Sequence, residues 1–264
     1  MAIKWTIQGL LIYAAIGVYL AAFVTRILGQ RKVGDILYFG GFAAALGALV
    51  YRWYDVQHIP MQNLFEVFLT MGFMIWPISS FCQRVLGVGG RAADMVIGAM
   101  VLFPAGFVFS AAPQKLPPAL QCWLFGPHVA VYMLSYMVMA KASFQAIVQL
   151  SGRQSDGAEG IVDAEQGTYL MVRGGFVLLT LGLILGSWWG KLAWGSYWGW
   201  DPKESWSLAS WLVYVGYFHF RYMFGRRHAR LNSVWALLGM AVILTTLLWA
   251  NLSRLFPGLH SYAT

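Results

Sequence analysis

Phe176–Trp206 reads FVLLTLGLILGSWWGKLAWGSYWGWDPKESW: an apolar run, a tryptophan-rich stretch and an acidic turn in succession. A membrane-spanning helix needs about 20 mostly apolar residues, and the run from roughly 169 to 190 supplies them. At the other end, Asp201-Pro202-Lys203-Glu204 reads as a helix start. Asp201 is placed as N-cap, Pro202 at the first helical position, and Glu204 three residues after the cap, closing a capping box. One helix therefore ends and another begins within a few residues. The stretch between them, WGSYWGW, holds Trp194, Trp198 and Trp200 together with Gly195, Tyr197 and Gly199.

The rest of the chain repeats the pattern of long apolar run and short break. Of 264 residues, 59% are hydrophobic and 11% charged, against about 25% charged in soluble domains. Spans are expected at roughly 5–28, 34–53, 62–83, 92–112, 121–150, 169–190, 204–224 and 231–251. Backbone groups in lipid must be satisfied internally, so these runs are helices. The expected fold is all-α: a polytopic integral membrane protein of about eight transmembrane helices, one domain over 1–264, with 151–168 as a linker. No repeat of fixed period is visible, and no cleavable signal peptide is expected, because the first run is long enough to span.

The net charge of +8 does not point to nucleic acid, because the basic residues lie in short loops, as topology signals do. Alternate loops hold Arg26, Arg31, Lys32, Arg84, Arg91, Arg153, Arg173, Arg221, Arg226, Arg227 and Arg230, and the opposite side only Lys4, Arg52, Lys115, Lys191, Lys203 and Arg254. The positive-inside rule then places both termini and the tryptophan-rich turn on the extracytoplasmic side. Cys82 and Cys122 lie far apart with no CxxC, which argues against a thiol-redox enzyme and a disulfide framework.

Topology also sorts the five histidines. His58, His128 and His260 fall at or near outer helix ends, His228 in a basic inner loop, and His219 within the seventh span. A neutral imidazole ligates iron well, and two on opposite faces of a porphyrin make a bis-His site. An outer histidine can equally be an interfacial polar group, and His219 can snorkel to the inner headgroups. Ionisable residues within a span are nonetheless rare and usually functional. The tryptophans pose a parallel choice. A membrane-interface aromatic belt explains enrichment but not the order Trp-Gly-x-x-Trp-x-Trp-Asp running into a helix cap. An aromatic shelf made by Trp188, Trp189, Trp194, Tyr197, Trp198 and Trp200, with glycine gaps, suits a large planar hydrophobic ligand whose carboxylates Lys191 and Lys203 could meet.

WGSYWGWDPKESW resembles the tryptophan-rich WWD signature of the haem-handling proteins of cytochrome c biogenesis. It is most similar to the CcsA (ResC) type of system II, whose signature also continues into Asp-Pro-Lys-Glu; Ser205 stands where members commonly have Thr. WLFGPHVAVYMLSY, FPGLHSYA and YFHFR resemble the segments carrying that family's haem-ligand histidines, and HIPMQNLFEVF a stretch before its third helix. The resemblance implies haem b as cofactor. His128 and His260 would be external axial ligands of the iron and His219 a transmembrane ligand, with Trp194, Gly195, Tyr197, Trp198, Trp200 and Asp201 forming the haem surface within a loop at about 188–206.

It further implies a subunit of a holocytochrome c synthase that moves haem to the external site for attachment to the CxxCH motif of apocytochrome c. The expected partners are a CcsB-type membrane protein and thiol-reducing proteins that keep CxxCH reduced. The expected location is the bacterial cytoplasmic (inner) or thylakoid membrane, with the loop on the periplasmic or lumenal side. Alternatives are a CcmC-type haem transporter or chaperone and a b-type membrane electron-transfer cytochrome. The outer position of most of the histidines disfavours the last.

Overall fold

The computed structural model describes residues 3–152, 161–249 and 252. Eight α-helices follow in order: α1 (Ile7–Ile27), α2 (Arg31–Val56), α3 (Leu64–Leu86), α4 (Arg91–Phe107), α5 (Phe125–Leu150), α6 (Ala164–Trp194), α7 (Pro202–Phe224) and α8 (Ala229–Leu244). A π-helical turn carries α8 on to Trp249. Among the described residues no strand occurs. Six segments are long and apolar enough to cross a membrane, the last of them a 48-residue stretch that includes both α7 and α8. The protein is an integral membrane protein.

Helices α1, α2 and α4 and most of α3 form one compact unit, which takes in residues up to Phe81 and Gly90–Leu116. Its organising side chain is Tyr19. A Cβ on Gly41 of α2 or Gly98 of α4 would come within 3.0 Å of the Tyr19 ring, and the Tyr19 hydroxyl donates to Gly72 O of α3 at 3.0 Å. Glycines thus let three helices close around one buried phenol, as small residues do where helices approach without a hydrophobic drive. Asp35 joins the ends of α1, α2 and α4 by accepting from Arg26 at 2.8 Å and Arg91 at 2.9 Å. Elsewhere in this unit the Arg52 and Glu66 side chains, each 1% exposed, pair at 2.8 Å. Glu66 also accepts from the Gln62 amide, and Arg52 donates to Ala111 O.

The second unit holds α5–α8 and residues 82–89 from the end of α3 and the turn after it. Gly89 O of that turn accepts from both Lys141 Nζ at 2.9 Å and Gln145 Nε2 at 3.0 Å on α5. Lys141 is buried within a helix long and apolar enough to cross a membrane. Ser135 Oγ of α5 donates to Gly175 O of α6, and Trp211 Nε1 of α7 to Thr180 Oγ1 of α6. Ser210 of α7 bonds Thr246 beyond α8. These pairings run antiparallel, so the start of α5, the end of α6, the start of α7 and the π-turn after α8 share one end of the unit.

In the fourth and sixth helices the boundaries differ from the sequence expectation in ways that bear on the site or its packing. The fourth helix stops at Phe107, not 112, because Lys4 Nζ donates to the carbonyls of Ala105 and Gly106 at 2.9 Å each. The sixth helix starts at Ala164, inside the expected 151–168 linker. Asp163 caps it by accepting from the Gln166 amide at 3.0 Å. It also ends late, at Trp194, so Trp188, Trp189 and Trp194 lie on a helix and not in a loop.

Candidate functional site

The shared end of the second unit carries the tryptophans, and α6 supplies their scaffold. Positions 175, 182 and 186 on α6 are glycines, and a Cβ at each would meet a side chain of α5 at under 3.0 Å: Met139, Tyr132 and His128 respectively. This glycine stripe lets α5 pack close against α6. Gly186 is the tightest case, with its virtual Cβ only 2.5 Å from His128 Cε1.

His128, in the first turn of α5, is thereby held on three sides. Its Nδ1 lies 3.0 Å from Gly182 O. A carbonyl only accepts, so Nδ1 carries a proton in this contact. A backbone carbonyl bonded to one ring nitrogen is how metal-ligating histidines are commonly oriented. The imidazole stacks on Trp189 (5.7 Å between centroids, 13° between planes) and meets the edge of Tyr132 at 5.1 Å. Trp189 is buried and anchored, its Nε1 donating to Ala119 O at 3.0 Å. Trp194 packs edge-on against Trp189 at 4.6 Å.

The turn after α6 is built by its own polar groups. Gly195 takes the left-handed conformation (φ 83°) that closes the helix, where a side chain would be strained. Lys191 Nζ donates to Gly195 O at 2.8 Å and lies 5.6 Å from the centre of the Tyr197 ring. Ser187 Oγ donates to Tyr197 O at 2.9 Å. At the start of α7 the capping box is complete: Glu204 N donates to Asp201 Oδ1 at 2.9 Å, and Glu204 Oε2 accepts from Asp201 N at 3.2 Å. The same Oε2 accepts from Gly199 N at 2.8 Å. Between those two amides, Trp200 has φ 57°, a left-handed value on a bulky residue. The Trp200 indole is 71% exposed and meets Trp198 edge-on at 5.9 Å.

Leu183, Ile184, Ser187, Trp188, Tyr197, Trp198 and Leu208 line an open cleft of about 540 Å³. At 3.6 residues per turn, the cleft residues of α6 point roughly opposite to Gly182, Gly186 and Trp189. The expected aromatic shelf is therefore two surfaces. His128 shares one face of α6 with Trp189, against which Trp194 packs, while Tyr197 and Trp198 line the other. Trp198 Nε1 is buried with no hydrogen-bond partner, a donor an acceptor on a bound ligand could satisfy.

The remaining expected residues lie elsewhere. His219 is exposed on α7, with Nδ1 2.9 Å from Val215 O. His260 lies outside the described residues. Lys203 is half-buried in the first turn of α7. His58, in the first unit, lies near the carbonyls of Ile59 and Gln114. Ser205 Oγ is 3.5 Å from Trp200 O. Sequence reading missed Gly182, Gly186 and Tyr132; their only signal is small residues at helical spacing opposite a histidine. Among the described residues no three His, Cys, Asp or Glu side chains gather to hold a bare metal ion. Of the expected iron ligands, His128 is the one that the described residues place beside these indoles.

Comparison with known proteins places the chain in a family. The cytochrome c assembly protein family matches residues 35–257. The chain is 31% identical to the cytochrome c biogenesis protein CcsA of Prochlorococcus marinus, over 81% of this chain and 79% of that one. It is 30% identical to CcsA of Synechococcus elongatus, over 83% of each. Among solved structures, the cytochrome c haem lyase CcmF superposes with a TM-score of 0.69 at 20% identity, covering 94% of this chain. The chain spans about half of CcmF, 48% of its length, and the likeness shows a shared helical fold.

The fold and site thus define a polytopic helical membrane protein with an aromatic, histidine-bearing end. The chain belongs to the cytochrome c assembly family, as a CcsA-type cytochrome c biogenesis protein. Its role is in cytochrome c maturation.

Proposed function

We propose that this chain is the membrane subunit of a cytochrome c synthase, which brings haem b to the outer end of the α5–α8 unit and presents it to the CxxCH motif of apocytochrome c. The observation that carries it is His128: its Nδ1 proton is committed to Gly182 O and its ring lies flat on Trp189. With Nδ1 so held, Nε2 is the nitrogen that would ligate iron. His260, which lies outside the described residues, would be the second iron ligand, and Trp194 backs the Trp189 ring on which His128 stacks. Tyr197, Trp198, Trp200, Gly195 and Asp201 form the neighbouring turn, where the Trp198 N–H can donate to a substrate carboxylate.

Thioether formation adds each cysteine S–H across a vinyl group. A C–S bond forms, the C=C becomes a single bond, and the thiol proton passes to the adjacent carbon. No net electron transfer is needed. The chain's task is to hold two reactants in register, a source of large rate gains by itself. His219, exposed on α7, serves as a transmembrane ligand whose counterpart comes from a CcsB-type partner. The membrane is the bacterial cytoplasmic or thylakoid membrane, all eight helices cross it, and the Trp194–Trp200 turn and both termini face the periplasm or lumen. Thiol-reducing proteins keep the client cysteines reduced.

The test is haem content and absorption spectrum of the purified chain, alone and with its partner. His128→Ala and His260→Ala should each shift the Soret band and lower cytochrome c maturation, with added imidazole restoring part of the bound haem. Wild-type spectra and yields in both variants would refute the ligand assignment.

A further inference from the structure

Two observations at the start of α7 go beyond helix capping. A capping box needs the glutamate to accept only from the N-cap amide. Here Glu204 Oε2 also accepts from Gly199 N, at 2.8 Å, the shorter of its two contacts. The residue between the two amides is Trp200, with φ 57°. A non-glycine residue in that region is uncommon, and a bulky one is an outlier that persists only where the surroundings hold it. Consecutive amides around a left-handed residue form a concave, anion-binding nest. In this chain the nest is filled by the chain's own carboxylate.

We infer that Glu204 is a positioning residue: its carboxylate clamps Gly199 and Asp201 and so holds Trp200 left-handed, with its indole turned outward for contact with substrate. The exposed indole follows from the clamp. With Glu204 removed, residue 200 relaxes to an ordinary negative φ that redirects its ring. Glu204 touches no substrate itself and acts through Trp200. The contact between Trp200 and substrate rests on the haem-presenting function proposed above; the clamp does not.

The experiment uses the full chain with four variants: Glu204→Ala, Glu204→Gln, Trp200→Gly and the double Glu204→Ala/Trp200→Gly. Asp163→Ala, which removes the N-cap of α6 at the opposite end of the same unit, controls for simple cap loss. Hydrogen exchange of the 195–206 peptide reads the clamp directly. Haem b content, Soret position and maturation yield read its consequence. Glu204→Ala removes both of these bonds and should speed exchange in that peptide by about tenfold or more, one charge-assisted hydrogen bond alone being worth ~1.5 kcal/mol. It should also shift the Soret band and lower maturation, while Glu204→Gln, which keeps an acceptor oxygen, retains most of both.

Asp163→Ala should lower thermal stability and leave the peptide and spectrum unchanged. In the Trp200→Gly background, adding Glu204→Ala should cost no further haem or maturation, because the residue it positions is gone. Unchanged exchange in Glu204→Ala would overturn the clamp. An undiminished loss in the Trp200→Gly background would overturn its action through Trp200. A wild-type chain that binds no haem would instead refute the haem reading, with the exchange result still deciding the clamp.

Discussion

Adding one methyl group at Gly186 should unseat His128. The new Cβ would lie 2.5 Å from Cε1, 3.0 Å from Nδ1 and 3.3 Å from Nε2 of the imidazole. Ordinary carbon contacts begin at about 3.5 Å, so the ring or the helix must give way by about 1 Å. The ring has little room, with Trp189 stacked on it and Tyr132 against its edge. Overpacking of this kind costs ~1–3 kcal/mol, and losing the Nδ1–Gly182 O bond adds ~1 kcal/mol. The gain in helix propensity from glycine to alanine returns at most ~1 kcal/mol.

The net loss of ~1–3 kcal/mol should appear as a fall of several degrees in thermal midpoint and about tenfold weaker haem retention. Gly174→Ala is the matched control on the same helix, because its Cβ meets nothing within 4 Å; it should be neutral or stabilising. The assay is thermal unfolding of the detergent-solubilised chain, with haem titration followed at the Soret band. A Gly186→Ala chain with wild-type midpoint and haem affinity would refute the packing of His128 against α6 and its place as a ligand.

Three further outcomes follow from other parts of the molecule. Arg52→Ala or Glu66→Ala leaves a charge buried without its partner and should cost ~3–5 kcal/mol, read as loss of folded chain after solubilisation; replacing both with Met and Leu should recover most of it. For Asp163, burial tends to raise the carboxyl pKa, but the Gln166 amide and the Arg226 guanidinium outweigh it and hold the value below the ordinary one. A depressed pKa stabilises the fold above the unfolded value and is lost as pH falls through the folded one, so stability should decline below about pH 4. Because Asp163 is about half exposed, the effect should be a few tenths of a kcal/mol, and Asp163→Asn should remove it. Finally, Ser196→Cys in a chain with Cys82 and Cys122 replaced by serine should react with a membrane-impermeant maleimide in intact cells. Protection there with reaction in inverted vesicles would reverse the proposed orientation.

The helical character of the chain and the Asp201 cap were legible because each depends on residues close in sequence. Apolar runs read as helices, since a span must satisfy its own backbone, and six segments are long and apolar enough to cross a membrane. The Asp201–Glu204 box needs only a four-residue window. The cap at Asp163 was equally local, Asp163 and Gln166 standing three apart, but the polar residues around it disguised a helix start as linker. Where α4 ends was not local, because the cations and carbonyls involved, Lys4 with Ala105 and Gly106, are a hundred residues apart.

The sequence by itself determined a helical membrane chain and the place of its tryptophan-rich turn between two helices. The tertiary structure decided how the groups around that turn share space. His128 and the Tyr197–Trp198 cleft belong to opposite faces of α6, because a helix turns 100° per residue and separates neighbours that read as one cluster. Glycines at 182 and 186, blank in a composition reading, matter because what they admit is supplied by α5. Trp200 looks like one more aromatic in a run; only the backbone shows it left-handed between two amides that a carboxylate four residues on holds in place.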